Sequence, residues 1–203
     1  MSSKLEFDYD FENFFPQNDT DLDYFLEYRK TFENDNDYVL ISIGNKQGIF
    51  DTTFLQKANE FTKALEQLEH VESVLSPTTL KTPIFNSFGF IEVPLLHINN
   101  LTKLKQDSIR ISSSKEYTKT FFSSDLKSIC IVVNNSQIIT KKASDELLDN
   151  LELALNKYNF DEVHYAGKIR GQKTYLTKMR FELMLFLSIS VLLLPRNAKG
   201  AFP

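Results

Sequence analysis

The stretch from Asp37 to Pro77 constrains this chain most, because it contains a strand, a helix and a returning strand in 41 residues. Tyr38 to Ile43 sets Val39, Ile41 and Ile43 against Tyr38, Leu40 and Ser42. Both sets are largely apolar, which predicts a strand inside a sheet rather than at its edge. Thr53 with Gln56 three residues on gives a capping-box signal, and Asp51 adds negative charge at the helix's positive end. Phe54, Ala58, Phe61, Leu65 and Leu68 recur at helical spacing as one apolar stripe. Val71, Val74 and Leu75, closed by Pro77, return the chain as a strand. Gly44 and Gly48, around Asn45-Lys-Gln, read as turn residues.

A second unit repeats the plan with a different sequence. Ser128 to Val133 is another central-strand pattern. Ser144 reads as the N-cap of a helix with Asp145 and Glu146 in its first turn and Leu147, Leu151, Ala154 and Tyr158 on its apolar face. Val163 and Tyr165 return as a strand ending at Gly167. Two β-α-β units in succession predict an α+β, ferredoxin-like split β-α-β fold: an antiparallel sheet with both helices on one face. A long insertion, residues 76–127, separates the halves. Pro77, Pro83 and Pro94 break it up, and its apolar front half, PIFNSFGFIEVPLLHI, is unusual for a surface loop. Two readings stand for it, core packing or an aromatic lining. Further on, Leu101–Ile109 and Ser113–Phe122 read as short helices anchored by Leu101, Leu104, Tyr117 and Phe121. Ahead of the first unit, residues 1–36 read as a strand with Leu5, Phe7, Tyr9 and Phe11 alternating, then a helix from Asp19 to Phe32.

Little in the chain points to chemistry. His70, His97 and His164 are scattered and have no helical-spacing partner, so no metal is expected. Asp19, Asp21 and Asp23 do not form an EF-hand, because Tyr24 and Lys30 stand where glycine and glutamate are needed; an acidic helix N-terminus accounts for them. Phosphate-binding glycine loops and nucleophile elbows are absent from the sequence. The lone Cys130 lies in an apolar strand and reads as an inert buried thiol. These readings predict no enzyme, no catalytic residue and no cofactor. Phe88-Gly89-Phe90-Ile91 resembles the aromatic core of an RNA-recognition strand, but Asn86 and Ser87 replace the basic residue and glycine. A net charge of -4 also opposes nucleic-acid binding.

The C-terminal part reads differently. Residues 171–194 form a polar connector leading to Leu183–Leu194, LMLFLSISVLLL, and residues 195–203 are an atypical tail. The apolar run is shorter than the ~20 residues a bilayer requires. It reads either as a buried core helix or as the first turns of a membrane helix cut short. Apolar character all round favours the second.

Taken together, these segments resemble the extracytoplasmic loop between the first and second membrane helices of a resistance-nodulation-division (RND) exporter, in the MMPL/patched-like branch. The resemblance is carried by FDYDFENFFPQNDTDLDYFLEYRKTF and by the unit from Asp37 with its V-x-x-V-x-S-x-T return at Val71–Thr78. It continues in Phe122-Ser-Ser-Asp-Leu-Lys-Ser-Ile-Cys-Ile-Val-Val, Tyr165-Ala-Gly-Lys-Ile-Arg and Phe181-Glu-Leu-Met-Leu-Phe-Leu. It implies a porter domain spanning 37–170, a fragment of a proton-driven inner-membrane exporter, on the periplasmic side. The implied partners are the rest of the transporter, a hydrophobic or lipid-like substrate, and the membrane through residues 183–194, with no nucleic acid. On this reading Phe85, Phe88, Phe90 and Leu95 form the apolar contact surface for substrate or a neighbouring domain. The alternative is a free-standing ferredoxin-like binding or regulatory domain whose C-terminal helix completes the core.

Overall fold

The computed structural model of the chain describes residues 19–32, 37–86, 89–136 and 139–198. The expected strand at Leu5–Phe11 falls outside them. Helix α1 (Thr20–Phe32) comes first, and Asp19 Oδ1 accepts the Asp21 N–H at its start. The first unit follows as β1 (Tyr38–Gly44), α2 (Thr52–Leu65) and β2 (Val71–Leu75), and the insertion holds β3 (Lys81–Asn86), β4 (Gly89–Pro94), α3 (Leu101–Ser113) and α4 (Tyr117–Thr120). The second unit is β5 (Ser128–Asn135), α5 (Lys141–Tyr158) and β6 (Glu162–Gly167), and α6 (Lys168–Ala198) closes the described chain.

The architecture is α+β. A four-stranded sheet has the order β2-β5-β1-β6, and each neighbouring pair is antiparallel. β1 is central, as its two apolar faces predict. Val39, Ile41 and Ile43 pair in register with Val133, Ile131 and Ile129, and all six are fully buried. Against this face lie the stripes of α2 (Phe54, Leu55, Ala58, Phe61, Leu65) and α5 (Leu147, Leu148, Leu151, Leu155). Rings interlock where the helices meet, with Phe61 5.4 Å edge-on from both Tyr158 and Phe160. The opposite face stays open, and Leu75, Val132, Leu40 and Ala166 form one row across it. β6 runs so close to β1 at Gly167 that a Cβ there would lie 2.5 Å from the Tyr38 carbonyl oxygen.

Several local expectations need correction. The N-cap of α2 is Asp51, whose Oδ1 accepts the Phe54 N–H at 2.7 Å, so Thr53 is already inside the helix. Likewise Thr140 caps α5 through the Ala143 N–H, and Ser144 is buried in the first turn. Gly48 does turn the chain, at φ +100°, whereas Gly44 ends β1 with Ser128 Oγ and the Glu162 Cβ packed closely around it. Leu101 does not anchor α3, because it lies exposed at the helix start; Leu104, Asp107 and Ile111 point inward instead. α6 runs unbroken from Lys168 through Pro195 to Ala198, so the polar connector and the apolar run are one helix.

Candidate functional site

The insertion does not divide as the sequence suggests. β3 and β4 make a separate two-stranded hairpin with Phe85 opposite Phe90 and Ile84 opposite Ile91. Phe90 is 63% exposed and Ile91 54% exposed. Phe85 is placed by its register opposite Phe90, and Phe88 is outside the described residues. Leu95 does not belong to this surface. It is 1% exposed and packs in the core with Leu96, since the chain turns inward after Pro94. Of the expected four-residue apolar surface, Phe90 is exposed on the hairpin and Leu95 lies in the core. The hairpin also stands apart from the four-stranded sheet, whereas an RNA-recognition module carries its stacking aromatics on the sheet itself.

Two buried polar networks hold the feet of the hairpin. On the incoming side, Thr62 Oγ1 of α2 lies 3.0 Å from Ser76 Oγ, and Ser76 Oγ lies 2.9 Å from Thr78 Oγ1. All three hydroxyls are buried, and the Ser76 carbonyl accepts the Leu80 N–H just before β3. The Ser and Thr of the V-x-x-V-x-S-x-T return are thus the hinge-pin of the hairpin's first limb. On the outgoing side, Asp107 of α3 is 4% exposed. Its Oδ2 accepts the His97 N–H at 2.7 Å and lies 2.9 Å from His97 Nδ1, while its Oδ1 accepts from Arg110 Nη2 at 2.9 Å. Arg110 Nη2 also donates to the Leu95 carbonyl at 2.6 Å. An imidazole oriented by a buried carboxylate is half of an acid–base arrangement. Here Oδ2 is engaged by His97 of the chain leaving the hairpin, and Oδ1 by Arg110 of α3, which also holds the Leu95 carbonyl, so the cluster works as a clamp. Among the described residues, no group of His, Cys, Asp or Glu is arranged to hold a metal ion. Burial pushes the Cys130 thiol pKa up, away from the thiolate that reactivity requires.

The second exposed apolar element is α6. Its first turns are seated firmly: Ile169, Gln172 and Leu176 are buried, and Lys173 Nζ donates to Asp149 Oδ1 of α5 at 2.7 Å. The Arg170 guanidinium stacks 3.6 Å from the centre of the Tyr165 ring, whose hydroxyl donates to Glu152. Burial, then the Glu152 hydrogen bond, pushes the Tyr165 pKa up; the Asp149 hydrogen bond does the same for Lys173. Beyond Arg180 the helix leaves the core. Phe181, Met184 and Phe186 are each about two-thirds exposed, Leu192 is 74% exposed, and the large apolar side chains between them are all exposed. Leu183–Leu193 therefore does not pack into the core formed by the rest of the described chain. No helix among the described residues is long and apolar enough to cross a membrane.

No protein-family model matches the sequence, and no curated protein is significantly similar to it.

Sequence reasoning missed the hairpin and the Asp107 clamp. The hairpin had a signal: two apolar runs flank Asn-Ser-Phe-Gly, with Gly89 at φ +133°. Pro83 and Pro94 argued against strands, yet both strands are edges, where proline is tolerated.

Proposed function

We propose that this chain is the extracytoplasmic, substrate-handling domain of a membrane exporter resembling the RND superfamily, acting on hydrophobic or amphiphilic molecules beside a lipid bilayer. The observation that carries this reading is α6. A folded domain continues into a rooted helix that is apolar on all sides and buries none of its large side chains from Phe181 to Leu193. Surfaces of this kind mark membrane or partner contacts, because leaving so much contiguous apolar area in water is costly. The exposed hairpin at Phe90 and Ile91 supplies a second apolar surface for substrate or a neighbouring domain. We read the fold as ferredoxin-like, supported by the order β2-β5-β1-β6 with β1-α2-β2 and β5-α5-β6 as its two interlocked units. The side facing the periplasm, the proton-driven parent transporter and the lipid-like cargo follow from the resemblance.

Vesicle flotation tests the reading. The full chain should float with phosphatidylcholine vesicles, and a chain ending at Arg180 should lose most of that association while keeping its far-ultraviolet circular dichroism. A full chain that stays at the bottom of the gradient as a soluble, monodisperse species would refute it.

A further inference from the structure

We draw no further inference here: the strongest candidate, the open face of the four-stranded sheet where Leu75, Val132, Leu40 and Ala166 form one row, carries nothing because nothing in the structure shows what covers it.

Discussion

Asp107 is buried on α3, with Oδ2 bonded to His97 in the segment that leaves the hairpin and Oδ1 to Arg110 of its own helix. Asp107→Asn removes an acceptor from Arg110 or from His97 and leaves a donor without a partner in a buried site. The expected cost is about 2 kcal/mol, the usual size for an unsatisfied buried group next to a charge, read as a lower denaturation midpoint. Hydrogen exchange should rise first at residues 89–98, ahead of the β1 and β5 amides. Uniform acceleration across the sheet would show that Asp107 supports the whole core rather than the hairpin foot. This residue was not legible in the sequence, because His97 and Asp107 lie in a loop and a helix whose approach depends on the fold. The apolar stripes were legible: Phe54, Ala58, Phe61 and Leu65 all reach the core. Capping residues were legible only as candidates, since Asp51 and Thr53, or Thr140 and Ser144, compete for one helix start and tertiary packing decides between them.

At the level of elements, the root of α6 should be sensitive to alkali. Lys173 and Tyr165 both titrate above their ordinary values. A raised folded-state value adds stability in full below the unfolded-state value, and that stability is lost as pH rises through the folded one. The window therefore opens above about pH 10. Lys173→Met should lower stability at neutral pH by about 0.5 kcal/mol, the scale of a largely exposed ion pair. The difference in melting temperature from the parent chain should shrink to zero once Lys173 itself deprotonates. A difference that persists unchanged in alkali would assign the effect to packing of the lysine stem. The two β-α-β units were readable because each carries its own periodicity. The hairpin was not, because its prolines resemble strand breakers unless the strands are known to be edges.

At the level of the whole molecule, the four-stranded sheet and its two covering helices account for most of the buried core, and α6 beyond Arg180 adds almost nothing to it. A chain ending at Arg180 should therefore unfold cooperatively, with a melting temperature within a few degrees of the full chain. A large loss would mean that the apolar helix supports the fold after all. Strand order was open to sequence reasoning only as a consequence of two repeated units. That the apolar helix stays out of the core was not, since a run that is apolar all round suits a core or a bilayer alike. The central claim is that this helix belongs in lipid. Spin labels placed singly at positions 183–193 of the full chain, with phosphatidylcholine vesicles, test it most directly. The account predicts that every position gains access to oxygen and loses access to a water-soluble nickel complex, with no helical periodicity. Continued access to the nickel complex, or a 3.6-residue pattern of protection already present without lipid, would contradict it.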